Sequence, residues 1–174
     1  MADENPMTTP YIEKVVLNIG IGQNENQFGA AKMLLNRLTG HNAVATVSKK
    51  RRPSLKLKKG QIIGAMVTLR KGEAKDMLAR ALDAENNTIK SSSISDNSLS
   101  FGVKEYIDFA GIKYDPKIGM LGLNVNASFS RKGKRVELRR RGKAKVGARH
   151  ARVRRDEIAE YLKKNFNVKI IEEE

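Results

Sequence analysis

The chain has no cysteine and no tryptophan, only two histidines, and aromatic side chains at just 5% of its 174 positions. Without cysteine there is no disulfide framework, no thiolate metal site and no Cys–His nucleophile. His41 and His150 lie far apart in the chain, so no metal and no cofactor is expected. No apolar run approaches the roughly 18 residues of a membrane-spanning helix, and no signal-peptide core follows Met1. The chain is therefore expected to be cytoplasmic, with no membrane partner. Phosphate-binding loops are incomplete as well. Gly20 and Gly22 begin a dinucleotide-type turn but Glu25 stands where the third glycine belongs, and Gly60 and Gly64 lack a following Lys-Ser/Thr. Both read as turns, and neither a small-molecule substrate nor a catalytic constellation is supported.

Acidic residues are missing from two stretches. Residues 48–60, SKKRRPSLKLKKG, hold seven Lys or Arg and no acid, and residues 131–155 hold thirteen against the single acid Glu137. These two runs carry more positive charge than the formal net charge of +15, because the rest of the chain is mildly acidic. Solvated charge runs normally mix signs to limit self-repulsion; these do not. Membrane binding by such runs needs a second, apolar signal, yet neither run holds Trp or Phe, and Pro53, Gly133, Gly142 and Gly147 interrupt any helical period. Gly/Pro-broken Lys/Arg segments on a folded body suit a phosphate lattice of irregular shape. RNA fits better than duplex DNA, because zinc-finger, leucine-zipper and helix-turn-helix patterns are absent. Thirteen like charges in residues 131–155 do not bury enough surface to offset roughly 1–2 kcal/mol of backbone entropy per ordered residue. That run is expected to be a loop tethered at both ends, poorly ordered in the free protein and ordered only when phosphates meet it.

With 40% hydrophobic residues, the body has enough apolar side chains for one core, and a single domain over residues 1–174 is expected. In residues 14–21 Val15, Leu17, Ile19 and Ile21 alternate with Lys14, Val16, Asn18 and Gly20, as in a half-buried strand. Residues 27–38 place Ala31, Leu34, Leu35 and Leu38 at helical spacing before Gly40. Further strands are expected at 43–47, 62–70 and 121–129, helices at 71–82 and 156–166, and a short apolar segment at 168–171. Residues after the second helix form a polar Ser/Asn segment, and the acidic triplet Glu172–Glu174 reads as a frayed tail. The expected fold is α+β: a mostly antiparallel mixed sheet with helices packed on one face, the other face open, and two basic loop extensions. The open face carries Asn18, Thr68, Arg70, Asn124 and Asn126. An ordinary solvated sheet and a surface that hydrogen-bonds RNA sugars and base edges both fit that composition.

Five segments in order, IEKVVLNIGIG at 12–22, LTGH at 38–41, IIGAMVTLR at 62–70, SFGV at 100–103 and IKYDPKIGMLGLNV at 112–125, resemble the universal ribosomal protein L5 family of the large subunit. The stretch from Ser130 resembles the archaeal and eukaryotic form. The family's N-terminal part would cover about residues 10–61 and its C-terminal part about 62–171. The resemblance implies a structural, ribosome-bound component of the central protuberance that attaches 5S rRNA to large-subunit rRNA, touches P-site tRNA, and adjoins neighbouring large-subunit proteins and a small-subunit head protein. The implied 5S rRNA contacts are Asn18 and Thr68, with His41 where the family has glutamine, joined on the same face by Arg70 and Asn124. The first basic run, through Lys49, Lys50, Arg51, Arg52, Lys56, Lys58 and Lys59, corresponds to a loop near tRNA and large rRNA. Arg131, Lys132, Lys134, Arg135, Arg139, Arg140, Arg141, Lys143, Arg149, Arg152 and Arg154 form the expected rRNA-binding extension. A free RNA-binding or chaperone module outside the ribosome is the alternative that the charge pattern alone permits.

Overall fold

The computed structural model describes residues 5, 7–22, 24 and 27–171; the acidic triplet Glu172–Glu174 lies outside them. The first strand, β1 (Pro10–Gly20), buries Val15, Leu17 and Ile19 and turns Lys14, Val16 and Asn18 outward, as its alternation dictates. It starts four residues earlier than the alternation suggests. A bulge between Ile12 and Lys14 inserts one residue, so Ile12 and Val15 share the buried face although they are three apart.

Helix α1 (Phe28–Thr39) buries Ala31, Leu34, Leu35 and Leu38 and ends at Gly40, whose left-handed φ of 71° lets its N–H reach the Asn36 carbonyl at 2.8 Å. Strand β2 (Val44–Val47) leads into the first basic run. Strand β3 (Ile62–Leu69) follows, and then helix α2 (Lys71–Ala84), which buries Ala74, Met77, Leu78, Ala81 and Leu82. The turn from β3 into α2 has almost no linker. Lys71, at φ 58°, bends the chain there.

The polar segment after α2 holds three strands that its composition conceals: β4 (Thr88–Lys90), β5 (Ile94–Ser95) and β6 (Ser98–Val103). Leu99 and Val103 of β6 are buried and Phe101 partly so, while Ser98, Ser100 and Gly102 face the other way. After a loop comes β7 (Leu123–Arg131), with Leu123, Val125, Ala127 and Phe129 buried. In that loop, Asp115 donates its N–H to the Tyr106 hydroxyl at 3.0 Å and pairs with Arg37 at 2.6 Å. The Lys117 backbone N–H, together with the Arg37 guanidinium, holds the Asp115 carboxyl below the usual carboxylate value. The second basic run contains two single-turn helices, α3 (Arg135–Leu138) and α4 (Ala148–Ala151). Helix α5 (Arg155–Phe166) then buries Ile158 and Leu162 and sets Tyr161 edge-on to Phe129, ring centroids 5.7 Å apart.

The main sheet has the order β2-β3-β1-β7-β6-β5 and is antiparallel throughout. The final strand, β8 (Lys169–Ile171), pairs in parallel with β4 in a separate two-stranded sheet. The sheet content is thus mixed, but the mixing lies outside the large sheet. Helix α1 packs on β3, α2 on β1, and α5 on β1 and β5; all three feed one apolar core on one side of the sheet. Among the described residues no helix packs on the opposite side. Gly64 marks the tightest point of that side: a Cβ there would stand 2.5 Å from the Ile19 carbonyl oxygen and 2.8 Å from Thr46 Oγ1. Gly64→Ala is accordingly expected to destabilise the protein by about 1–3 kcal/mol through overpacking against backbone, read as a lowered midpoint in scanning calorimetry.

Candidate nucleic-acid interface

Register fixes what the open face presents. One row across the sheet runs Val44, Met66, Asn18, Asn124, Gly102; the next runs Thr68, Val16, Asn126, Ser100; a third runs Lys14, Ser128, Ser98. Asn18 and Asn124 are therefore direct cross-strand partners, with Thr68 diagonal to Asn18. The three rows contain no acid, and Lys14 is their one cation. None of the side chains of Asn18, Thr68, Ser98, Ser100, Asn124, Asn126 and Ser128 hydrogen-bonds within the described protein. Their donors and acceptors all face solvent or a partner.

At the β3 end, Thr68, Arg70 and His41 come together with Lys71, Gly72 and Glu73 around a shallow depression of about 440 Å³. His41 Nε2 donates to the Glu73 carboxylate at 2.9 Å. The five residues expected to touch 5S rRNA thus occupy one surface, with Asn18 and Asn124 at its centre and His41, Thr68 and Arg70 at its rim. Strand β6 adds Ser98 and Ser100 to that surface. Their signal is the alternation of Leu99, Phe101 and Val103 against small residues, hidden in a serine-rich context.

The first basic run is a built finger. Ser48 and Gln61 close its base: the Ser48 N–H reaches the Gln61 carbonyl and the Gly60 N–H reaches the Ser48 carbonyl, both at 2.8 Å. Arg52 and Leu57 exchange backbone hydrogen bonds of 3.0 and 3.1 Å, with a 3-10 turn (Pro53–Leu55) at the tip. Lys49, Lys50, Arg51, Arg52, Lys56, Lys58 and Lys59 are all exposed, and none is ion-paired among the described residues. Seven like charges on one small hairpin are tolerable in salt water, where they are screened over about 8–10 Å.

The second run divides into anchors and a free middle. Arg131, only 13% exposed, pairs with Glu157 at 2.5 Å and donates to the Arg149 carbonyl at 3.1 Å, while its Nε is buried without a partner. His150 Nε2 donates to the Lys132 carbonyl at 2.9 Å. Val153, fully buried, is tied to Asn97 in both directions: its N–H reaches the Asn97 carboxamide oxygen and its carbonyl accepts from the Asn97 N–H. Arg152 pairs with Asp96. Arg155, absent from the expected set, bonds to Ser91. Between these ties, residues 138–145 are all exposed, with Arg140, Arg141, Lys143 and Lys145 ion-paired to no acid among the described residues and Arg139 donating to the Gly142 carbonyl at 2.7 Å. Lys132, Arg135, Arg149 and Arg154 are exposed and Lys134 is half-buried. Among the described residues no group of His, Asp and Glu is placed to hold a metal ion, and no helix is long and apolar enough to cross a membrane.

Residues 5–58 match the family described as Ribosomal protein L5, and residues 62–153 match the C-terminus of the same ribosomal family. Three archaeal proteins, each named large ribosomal subunit protein uL5, are similar to the chain at 41% identity. That of Sulfurisphaera tokodaii aligns over 97% of this chain and 96% of its own length. Those of Pyrobaculum aerophilum and Nanoarchaeum equitans align over 95% and 97% of this chain and 93% and 99% of their own.

The division of the second run is open to proteolysis. In the free protein, trypsin is expected to cut first between Arg139 and Lys145, and much later at Arg131 or between Arg152 and Arg155, where the chain is tied to Glu157, Asp96 and Asn97. Equal early cleavage at all these sites, read by mass spectrometry, would show that the anchors do not hold.

Proposed function

This chain belongs to the ribosomal protein L5 family, whose members are structural and not catalytic constituents of the large ribosomal subunit, and from that premise we propose that its open sheet face holds 5S rRNA. The observation that carries the reading is the Asn18–Asn124 pair at the centre of an uncovered, acid-free sheet face, with Thr68, His41 and Arg70 on its rim. Amides and hydroxyls there recognise sugar hydroxyls and base edges, the groups that an A-form RNA displays in its wide, shallow minor groove. Because both partners desolvate when they meet, each unreplaced hydrogen bond costs the full penalty of a buried polar group.

The two basic extensions have a different task. The finger reaches phosphates beyond the sheet's footprint, in P-site tRNA and large-subunit rRNA, with its hairpin base fixing where the cations sit. The free middle of the second run, from Arg139 to Lys145 with Lys132, Lys134, Arg135, Arg149 and Arg154 beside it, lies against large-subunit rRNA. Arg131 and Arg152 serve as the anchors that aim it. The protein thereby ties 5S rRNA to the large rRNA in the central protuberance, next to neighbouring large-subunit proteins and a small-subunit head protein.

Asn18→Ala and Thr68→Ala are each expected to weaken binding of isolated 5S rRNA by about 1–3 kcal/mol with unchanged melting temperature. Filter binding and thermal melts decide this; full affinity in both variants would remove 5S rRNA from this face. Deleting residues 49–59 is expected to leave the salt dependence of 5S rRNA binding nearly unaltered, since each phosphate engaged by a cation adds somewhat less than about one unit to the slope of log affinity against log salt and the finger engages none on 5S rRNA. The same deletion is expected to lower retention on large subunits at moderate salt. A protein that never co-sediments with large subunits would instead be a free RNA-binding module.

A further inference from the structure

We propose that the RNA footprint on the open face continues beyond the Asn18–Asn124 pair along β7 and onto β6, where Ser100 and Asn126, flanked by Ser98 and Ser128, hydrogen-bond ribose hydroxyls and base edges of the same 5S rRNA; this rests on the reading of the face given above. Strand chemistry is the first ground. The six outward positions of β6 and β7 that lie opposite one another are Ser98 and Ser128, Ser100 and Asn126, Gly102 and Asn124. Asparagine and glycine are depleted in strands, and serine lacks the branched bulk that packs on a pleated surface. Strand β7 is moreover interior to the sheet, with β1 on one side and β6 on the other. A face whose only duty is to be wetted would be better built from threonine, valine and long charged side chains. Positions where local propensity is set aside without gain to the fold are where function is expected.

These side chains are also not used by the fold. Elsewhere in the chain small polar groups close turns and caps: Asn36 accepts from the Ala43 N–H at 3.0 Å, Thr39 donates to the Leu35 carbonyl at 2.7 Å, and Asn97 accepts from Val153. On β6 and β7 Ser98, Ser100, Asn124, Asn126 and Ser128 keep their side-chain hydrogen-bonding capacity whole. Relief matters too. A Cβ at Gly102 would stand 3.2 Å from Asn124 Oδ1, so the glycine is what lets the Asn124 carboxamide lie flat across to β6. The result is a low, neutral, hydrogen-bonding track, continuous with Asn18. Phosphates are met by cations, and here Lys14 is the one cation; sugars and base edges are the RNA groups that uncharged amides and hydroxyls fit.

Ser100→Val and Asn126→Val, which improve strand propensity while removing the polar group, are expected to melt at or above the temperature of the unaltered protein. Each is expected to lower 5S rRNA affinity about three- to tenfold, with the salt slope unchanged because neither side chain meets a phosphate. Ser100→Thr, which keeps the hydroxyl, is expected to restore binding. Ser100→Ala and Asn126→Ala provide the same loss without added bulk, should either valine misfold. Asn18→Ala is measured alongside. If it weakens binding while Ser100→Ala and Asn126→Ala bind 5S rRNA normally, the footprint ends at the Asn18–Asn124 pair and the extension is wrong. If all three bind normally, the face itself is not the 5S rRNA site and the extension falls with it.

Discussion

Everything in this molecule hangs from the alternation of β1 and its register on two neighbours. Val15, Leu17 and Ile19 are driven into the core by apolar burial, and a strand that commits every second residue inward commits the rest outward. Pairing with β3 on one side and β7 on the other then dictates which outward residues become neighbours: Asn18 meets Met66 and Asn124, Val16 meets Thr68 and Asn126. A slip of one residue on either side would bring these polar groups into the core. The same constraint that builds the core therefore assembles the face. Since β1 belongs to the chain's N-terminal part while β3 and β7 follow the finger, no local segment contains the face by itself.

Charge is distributed to suit that arrangement. A central sheet dense in lysine and arginine would need its cations side by side at strand spacing, about 5 Å apart, with no intervening acid. Here the sheet stays nearly neutral and the cations sit on two projections, where salt and distance relieve them. The projections still need fixed roots. In the finger, backbone hydrogen bonds at Ser48, Gly60 and Gln61 provide them; in the second run, Glu157 and Asp96 do, each holding one arginine of the run against a helix or turn. Acids are thus not absent from the basic regions. Those that root the second run come from positions remote from the arginines they hold.

That separation explains what the sequence disclosed and what it did not. Strands β1, β3 and β7 and helices α1, α2 and α5 were legible because each has an apolar stripe of the right period, and the open face followed from the polar residues opposite those stripes. Asn18, Thr68 and Asn124 are legible in that way. Strand β6 is not, because three inward residues are too few to stand out among serines, and β4 and β8 are not because each is three residues long and exists only through the other. The beginning of β1 is obscured by its bulge. Composition does not separate Arg131 and Arg152 from the other arginines expected to meet phosphates, yet their partners are remote in sequence, 26 and 56 residues away. Long-range ion pairs leave no periodic trace in a single chain. The tethered character of the run was legible; which of its residues form the tether was not.

The division between a neutral face and charged projections also fits two stages of association. Cations on exposed projections act over a Debye length, raise the encounter rate and hold any polyanion with little discrimination. Amides and hydroxyls on a sheet act only at close range, over donor–acceptor distances of about 3 Å, and reward only a surface whose own groups complement them. Placed together, the two would interfere, because a cation among the amides would hold phosphate in positions that the hydrogen bonds do not favour. The fold keeps them apart: register packs the short-range groups onto one rigid sheet, and loops carry the long-range groups to its edges. On the proposed reading, the RNA would be oriented by the part of the protein that is least able to deform, while attraction would be delegated to the parts that can follow an irregular backbone.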